Sequence, residues 1–232
     1  MKRTRAAFVI LALVIGFYGC DSGTSTTTVD NTAKPIVCLG DSLTEGYGAS
    51  QQGAVDKSKS YPAFLQKKVR VPVINAGISG DTSSGGLARV ERDVLSKDPQ
   101  IVIILLGGND FLPPRMRPAS ETKKDLQDII NKLRDENRKI YLASFIGDER
   151  WETSYLEMIP GVALPNLVAL LNEYKTIYAE LRSENTDIGY ITNIWNGIEN
   201  KHMSDPIHPN AEGYSKMADT IFAAIDSFLR EN

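Results

Sequence analysis

One uninterrupted apolar run constrains the fold of this chain more than any other segment. Ile101-Val102-Ile103-Ile104-Leu105-Leu106 is rich in β-branched side chains and contains no polar residue. Side chains of a strand point alternately to its two faces, so a strand that is apolar throughout has both faces covered. The run therefore predicts a central strand of a parallel sheet with helices on both sides.

Four further apolar runs and several helical patterns extend this prediction. The other runs are Ile36 to Leu39, Val71 to Ile78, Lys139 to Ile146 and Ile188 to Ile194. Between and after them, apolar residues recur with the spacing of an amphipathic helix, beginning at Leu126, Leu167 and Tyr214. Strands that alternate with helices form right-handed crossovers. We therefore predict an α/β protein, a three-layer α/β/α sandwich with a parallel sheet of about five strands.

The first residues of the chain predict export. Basic residues at positions 2, 3 and 5 precede an apolar run of 13 residues from Ala6 to Tyr18. A helix that crosses a bilayer needs about 20 apolar residues, so this run is typical of a signal peptide. The following Gly19-Cys20 resembles the end of a bacterial lipoprotein signal, which implies that residues 1–19 are removed and that Cys20 is lipidated. Cleavage by an ordinary signal peptidase and an uncleaved anchor are the alternatives.

The rest of the chain divides into a tether and one domain. Residues 20–33 are rich in Ser and Thr and lack apolar periodicity, so they bury too little surface to repay the entropy of ordering. We expect residues 34–232 to form a single domain of a monomeric lipoprotein, held to a membrane by its N-terminal lipid on the periplasmic or cell-surface side. The formal net charge of −3 argues against nucleic acid as a partner.

Cysteine and histidine are scarce, with 2 of each in the chain. Cys38 lies within an apolar run, where a thiol is usually inert, so we do not expect it to be a nucleophile. With so few His and no Cys pair, we expect neither a catalytic metal nor another cofactor. Asp205 precedes His208 by three residues and can orient its ring, which leaves Nε2 as a base. His202 has polar neighbours and is predicted to lie at the surface.

Glycine and short polar residues follow three of the predicted strands. The segments are Gly40-Asp41-Ser42-Leu43, Gly77-Ile78-Ser79-Gly80-Asp81 and Gly107-Gly108-Asn109-Asp110. Each alone is compatible with an ordinary turn, and Ser42 alone with a helix N-cap. Ligands of open α/β sheets bind at the carboxyl ends of the strands, so the repetition at one edge favours an active site there.

Together with Asp205-Pro206-Ile207-His208-Pro209-Asn210, these segments resemble the four signature blocks of the SGNH, or GDSL, hydrolases, the second block running from Asn75 to Thr82. The blocks occur in family order from Gly40 to Asn210. Within the family, the likeness is nearest to the bacterial thioesterase, lysophospholipase and arylesterase group. The resemblance implies a flavodoxin-like fold and hydrolysis of a small-molecule acyl ester without a cofactor.

Matched position by position, the resemblance also implies the catalytic roles. Ser42 would be the nucleophile, His208 the general base and later acid, and Asp205 the residue that orients the imidazole. The backbone N–H groups of Ser42 and Gly80 and the side-chain amide of Asn109 would form the oxyanion hole. Gly80 suits this role because it has no side chain to obstruct the substrate. No Gly-x-Ser-x-Gly motif surrounds Ser42, which disfavours an ordinary α/β-hydrolase.

Two segments are candidates for the acyl-binding site, one after Asn109 and the other from Gly147 to Pro165. The candidate substrate-binding residues are Phe111, Leu112, Trp151, Tyr155, Met158 and Ile159. The alternative is that these residues close the core. The favoured hypothesis is an esterase for short or medium acyl esters, thioesters or lysophospholipids. The alternatives are a carbohydrate O-deacetylase on the same fold and a surface lipoprotein that only binds a partner.

Overall fold

The computed structural model describes residues 28–146 and 164–231. Within these ranges the strands are β1 (Ile36–Gly40), β2 (Val73–Gly77), β3 (Ile101–Leu105), β4 (Lys139–Ala143) and β5 (Gly189–Ile191). The helices are α1 (Ser42–Glu45), α2 (Tyr61–Gln66), α3 (Ser83–Asp93), α4 (Gly108–Phe111), α5 (Ala119–Leu133), α6 (Leu164–Glu184) and α7 (Ala211–Glu231). Among the described helices, none is both long and apolar enough to pass through a bilayer.

The five strands form one parallel sheet, as predicted, and their order in it is β2-β1-β3-β4-β5. After β2 the chain returns past β1 and continues on its other side with β3. Gly40 at the end of β1 pairs with Gly77 of β2 and with Leu105 of β3, so the ends of the three strands are level. A crevice forms where connections leave neighbouring strands in opposite directions, which happens here between β1 and β3.

The core explains why the apolar runs form these elements. β1 and β3 are buried along their whole length, as an uninterrupted apolar run requires. The predicted faces of α5 and α7 are also buried, with Leu126, Ile129, Tyr214 and Ile221 each 0% exposed. Helix α2 packs against α7, whereas α5 packs against both α3 and α6. The predicted three-layer α/β/α sandwich is confirmed.

The four strands β2 to β5 are shorter than the apolar runs that predicted them, and β5 covers only Gly189–Ile191 of the run from Ile188 to Ile194. The run from Val71 to Ile78 extends beyond β2 at both ends, and the run from Lys139 to Ile146 extends beyond β4. Phe145 and Ile146 are nevertheless buried in the core after β4 has ended. Their apolar character therefore reports burial and not pairing with a neighbouring strand.

The prediction that His202 lies at the surface is wrong. Its side chain is 1% exposed and lies in a 3-10 turn, Asn200–His202. Nδ1 accepts a hydrogen bond from the Glu199 N–H at 2.8 Å, and Nε2 lies 3.2 Å from the Glu212 carboxylate. A backbone N–H of the same turn and a carboxylate from α7 thus satisfy both ring nitrogens inside the fold.

Candidate active site

Ser42 stands at the carboxyl end of β1 as the first residue of α1. Asp41 is the N-cap of this helix, because its Oδ1 atom accepts a hydrogen bond from the Leu43 N–H at 3.0 Å. The interpretation of Ser42 as the N-cap is therefore wrong. Its hydroxyl is left to make a different contact.

That contact is with His208, whose Nε2 atom lies 3.0 Å from the Ser42 Oγ atom. On the other side of the ring, Nδ1 lies 3.0 and 2.8 Å from the two carboxylate oxygens of Asp205. A carboxylate only accepts hydrogen bonds, so we assign the ring proton to Nδ1 and the lone pair to Nε2. The three side chains form a hydrogen-bonded chain that can pass the serine proton to the imidazole.

The local turn keeps the Asp205 carboxylate ionised. Burial raises the pKa of this carboxyl, but hydrogen bonds from the His208 ring and from the N–H groups of His208 and Ile207 outweigh it, so the pKa is lowered overall. The two N–H groups lie 2.7 and 2.8 Å from Oδ1. An ionised carboxylate at this position stabilises a positive charge on His208.

The position of His208 also depends on residues that the sequence analysis missed. The Tyr47 and His208 ring centroids are 4.5 Å apart with an interplanar angle of 50°. The Tyr214 hydroxyl donates to the Tyr47 carbonyl at 2.7 Å, which ties α7 to this turn. At Gly48, φ is +77° and a Cβ atom would lie 3.1 Å from the His208 Cβ. Only the glycine offered a sequence signal, since it permits both this backbone and the close approach.

The predicted oxyanion donors come from the exits of three adjacent strands. Gly80, in the turn after β2, has φ of +80°, and among residues 28–146 and 164–231, its two chain neighbours aside, no atom lies within 4 Å of the place that its Cβ would occupy. Glycine is favoured by the backbone conformation, and the space beside it is open. Asn109 follows β3, and its Nδ2 donates to the Asp81 carbonyl at 2.9 Å. Asn109 is thus tied to the residue that follows Gly80.

Asp41 is a buried carboxyl between two elements of the site. Its Oδ2 atom lies 3.3 Å from the Asn109 Nδ2 atom. Burial raises the pKa of Asp41 to about 7, with further raising by the negative charges of Asp81 and Asp110, whereas the Leu43 N–H and the charge of His208 oppose the change. The sequence singled out Asp41 only as part of a signature block. Its raised pKa could not be predicted, because burial depends on the packing around the side chain.

A cavity of about 50 Å³ lies beside Ser42, Asn109 and His208. Its apolar walls are Leu43, Phe111, Leu112, Phe145 and Ile207. The structure therefore brings the predicted Phe111 and Leu112 to the site. It adds Phe145, which follows β4, and Ile207, which directly precedes His208. The other four candidates lie outside the described residues: Trp151, Tyr155, Met158 and Ile159.

Neither a reactive thiol nor a metal centre competes with this site among the described residues. Cys38 is buried on β1, and this burial raises the pKa of its thiol to about 12. At neutral pH it is a protonated thiol, which is a poor nucleophile. No group of His, Cys, Asp and Glu side chains in residues 28–146 and 164–231 is arranged to hold a metal ion.

A parallel α/β/α sandwich with these four blocks at one edge defines an SGNH-type ester hydrolase. The sequence profile of the GDSL-like lipase/acylhydrolase family matches residues 38–216. The chain belongs to the GDSL-like lipase/acylhydrolase family.

Several similar proteins are named as esterases or thioesterases, and solved structures of similar proteins share the fold. Esterase TesA of Pseudomonas aeruginosa is 28% identical over 207 residues, which cover 87% of this chain and 92% of that protein. Thioesterase 1/protease 1/lysophospholipase L1 of Escherichia coli K12 is 37% identical over 107 residues, or 45% of this chain and 48% of that protein. The crystal structure of a lipase/acylhydrolase from Enterococcus faecalis superposes with a TM-score of 0.66 at 22% identity, covering 84% of this chain and 97% of that one.

Proposed function

We propose that the protein hydrolyses acyl esters through a covalent acyl-enzyme on Ser42. The observation that carries this proposal is the 3.0 Å contact between His208 Nε2 and Ser42 Oγ, with an Asp205 oxygen 2.8 Å from Nδ1. A serine hydroxyl is a weak nucleophile until a neighbouring base takes its proton. Here the base is in contact with the hydroxyl, and the ionised carboxylate holds the base in the required tautomer.

In acylation, Ser42 Oγ attacks the ester carbonyl carbon and its proton moves to His208 Nε2. The carbonyl oxygen becomes an oxyanion, and the Asp205 carboxylate stabilises the imidazolium. Collapse of the tetrahedral intermediate re-forms the carbonyl and breaks the bond to the alcohol oxygen, which receives the proton from Nε2. The acyl group remains on Ser42 Oγ.

In deacylation, a water molecule takes over the role of nucleophile that the serine hydroxyl had in acylation. Nε2 removes a proton from this water as its oxygen attacks the acyl carbon. The second tetrahedral intermediate releases the carboxylic acid, and the proton on Nε2 returns to Ser42 Oγ. The residues thus end each cycle in their starting protonation states.

We assign the Ser42 N–H, the Gly80 N–H and the Asn109 amide to the oxyanion hole. The level ends of β1, β2 and β3 support this assignment, because they bring the three donors to one edge of the sheet. One Asn109 contact is short, at 2.9 Å to the Asp81 carbonyl, and the other is long, at 3.3 Å to Asp41. The short bond fixes the amide, and the second N–H, which makes only the long contact, is the one that we assign to the oxyanion. Donors that are fixed in advance stabilise developing charge without reorganisation.

The favoured substrates are short or medium acyl esters, thioesters or lysophospholipids. The apolar walls Phe111, Leu112 and Phe145 support an acyl group that lies beside Ser42. The name of the Escherichia coli relative includes both thioesterase and lysophospholipase activity. Each buried methylene contributes about 0.8 kcal/mol, so a chain-length preference measures how far the apolar site extends.

The size of the cavity favours a second candidate, a carbohydrate O-deacetylase. The described walls leave a cavity of only about 50 Å³ beside Ser42, which is a small space for an acyl group. Such a space accommodates the methyl group of an acetyl ester. Within the described residues, it does not accommodate a long acyl chain.

A series of p-nitrophenyl esters from acetate to octanoate distinguishes these functions, with Ser42→Ala as the control at every chain length. A kcat/KM that rises from acetate to octanoate supports the acyl esterase. Activity confined to acetate favours the deacetylase and is then tested on acetylated oligosaccharides. Wild-type activity no higher than that of Ser42→Ala on every ester overturns both, and leaves the partner-binding lipoprotein.

We also propose that the protein is an exported monomer anchored by a lipid on Cys20. The support is the basic start, the apolar run that ends before Cys20, and the Ser/Thr-rich residues that follow it. Cys20 lies outside the described residues. β1 begins at Ile36 and ends at Gly40, directly before Asp41 and Ser42, so the tether joins the domain at the end of the sheet opposite the active site.

A further inference from the structure

The turn that carries Gly80 is anchored on both sides by charged side chains from other elements. Ser79 precedes Gly80 and is bound by Glu45, whereas Asp81 follows it and is bound by Arg89. Neither Glu45 nor Arg89 belongs to the proposed catalytic residues.

Arg89, on α3, connects the exits of β1 and β2 through one guanidinium. Its side chain is 7% exposed, and Nε donates to an Asp81 carboxylate oxygen at 2.7 Å. Nη2 donates to the Gly40 carbonyl at 2.8 Å and Nη1 to the Ala76 carbonyl at 2.7 Å. Gly40 lies two residues before Ser42. The planar, forked guanidinium holds these partners in fixed directions, which a lysine ammonium does not reproduce.

Arg89 reaches the third predicted donor through the same turn. The Asp81 side chain binds Arg89, and the Asp81 backbone carbonyl accepts the hydrogen bond from Asn109 Nδ2. The backbone before Ser42, the residue after Gly80 and the Asn109 amide therefore belong to one hydrogen-bond network. A displacement of Arg89 is expected to move all three donors relative to one another.

Glu45 secures the other side of the turn. Its Oε2 atom accepts hydrogen bonds from the Ser79 N–H at 2.8 Å and from the Ser79 hydroxyl at 2.7 Å. Its Oε1 atom lies 3.2 Å from Lys57 Nζ. Glu45 is the last residue of α1, the helix that Ser42 begins, so the nucleophile and the Gly80 turn are connected through four residues of one helix.

We propose that Glu45 and Arg89 are positioning residues that hold the Gly80 N–H toward the oxyanion. The proposal rests on the proposed function of Ser42. A glycine populates left-handed and right-handed backbone conformations about equally, so its N–H direction depends on how its neighbours are held. A donor that acts on the oxyanion contributes in the transition state and not in the bound ester, which predicts a loss of kcat at nearly unchanged KM.

The test compares Arg89→Lys, Glu45→Gln and Glu45→Ala with the wild-type protein. Arg138→Lys is the matched control, since Arg138 also donates to two backbone carbonyls, Leu133 at 2.8 Å and Pro99 at 3.2 Å, near the start of β4. The readouts are kcat and KM for p-nitrophenyl acetate, the inhibition constant of phenylboronic acid as a tetrahedral mimic, and the thermal midpoint.

We expect Arg89→Lys and Glu45→Ala to lower kcat at least about tenfold, with KM within about twofold. The boronate inhibition constant should rise with the loss in kcat. Glu45→Gln keeps an acceptor for Ser79 and should retain more activity than Glu45→Ala. Arg138→Lys should leave kcat, KM and boronate binding unchanged, so that any effect of this control is confined to the thermal midpoint. A merely structural role for Arg89 and Glu45 instead predicts lower stability with unchanged kcat and boronate binding in the folded fraction, and that result overturns the proposal.

Two further variants keep the outcome decisive. If Arg89→Lys does not fold, Ser79→Ala removes one of the two hydrogen bonds to Glu45 and leaves Arg89 intact, and it should still lower kcat more than KM. Ser42→Ala separates this inference from the proposed function. If Ser42→Ala is inactive while the Glu45 and Ser79 variants keep full kcat, only the positioning role is wrong. If Ser42→Ala is active, the proposed function fails first.

Discussion

The His208 Nε2 atom and the Ser42 Oγ atom lie 3.0 Å apart, although 166 positions separate the two residues in the chain. Ser42 follows the first strand of the sheet, and His208 lies in the loop before α7. The Tyr214 hydroxyl at the start of α7 lies 2.7 Å from the Tyr47 carbonyl and 3.4 Å from the Ser42 carbonyl. The hydroxyl of Tyr214 thus ties α7 to Ser42 and Tyr47, and this tie helps to bring the His208 loop to the serine on which the proposed chemistry depends.

Ser42→Ala should lower ester turnover by several orders of magnitude, because no other group takes the place of the nucleophile. The fold should persist, since the change removes only an oxygen atom. Steady-state hydrolysis of p-nitrophenyl acetate and circular dichroism measure the two effects. Ser96→Ala, which removes an exposed hydroxyl bound to the Arg92 carbonyl, is the control. Turnover near the wild-type rate in Ser42→Ala would exclude the mechanism.

Asp205→Asn should reduce kcat by about 10⁴-fold, because an amide N–H that faces Nδ1 favours the tautomer with the proton on Nε2. The Asn oxygen can still accept from the N–H groups of Ile207 and His208, so the turn should be retained. Asp226→Asn is the matched control, since Asp226 pairs with Arg230 at the exposed end of α7. A loss in Asp205→Asn no larger than in Asp226→Asn would contradict an orienting role.

Asn109→Ala should lower kcat by about 10²–10³-fold if the amide donates to the oxyanion. KM should change little, because the hydrogen bond forms mainly in the transition state. The control is Asn131→Ala, which removes an amide in contact with Arg134 on α5, away from the site. A change in kcat below about threefold would assign Asn109 to turn structure alone.

Asp41→Asn should change how stability depends on pH. The pKa of Asp41 is raised from 3.8 to about 7 in the folded protein, so its favourable contribution is complete below about pH 4 and is lost as the pH rises to 7. The loss has an upper limit of about 4 kcal/mol. Asn stays neutral and can accept from the Leu43 N–H. Urea unfolding at pH 5 and pH 8 should therefore show a smaller decrease for Asp41→Asn than for the wild-type protein, and equal decreases would contradict the raised pKa.

Cys20→Ser should abolish incorporation of labelled fatty acid in a bacterial host that processes lipoproteins. The reason is that only a thiol at this position accepts the diacylglycerol group. Cys38→Ser controls for the second cysteine, which is buried on β1. Labelling that persists in Cys20→Ser would reject the anchor, whereas secretion of an unlabelled wild-type protein would indicate ordinary signal cleavage.

Much of the fold could be predicted because apolar patterns report burial directly. The run from Ile101 to Leu106 predicted a strand covered on both faces, and β3 is buried along its length. The apolar spacing from Leu126 predicted α5 and its buried face. The ends of the elements were less accurate, since Phe145 and Ile146 are buried without belonging to a strand. His202 was placed wrongly because its ring is satisfied inside the fold by the Glu199 N–H and the Glu212 carboxylate, contacts that the polar residues beside it in the sequence do not indicate.

The sequence by itself determined the parallel α/β architecture and which residues stand at the strand exits. These properties depend on periodicity and on the order of segments along the chain, which are local. Only the tertiary structure decided that Asp41 is buried with a raised pKa, that the cavity is about 50 Å³, and that Glu45 and Arg89 hold the Gly80 turn. Such contacts join side chains from different elements. They follow from how helices and strands pack, which no local pattern specifies.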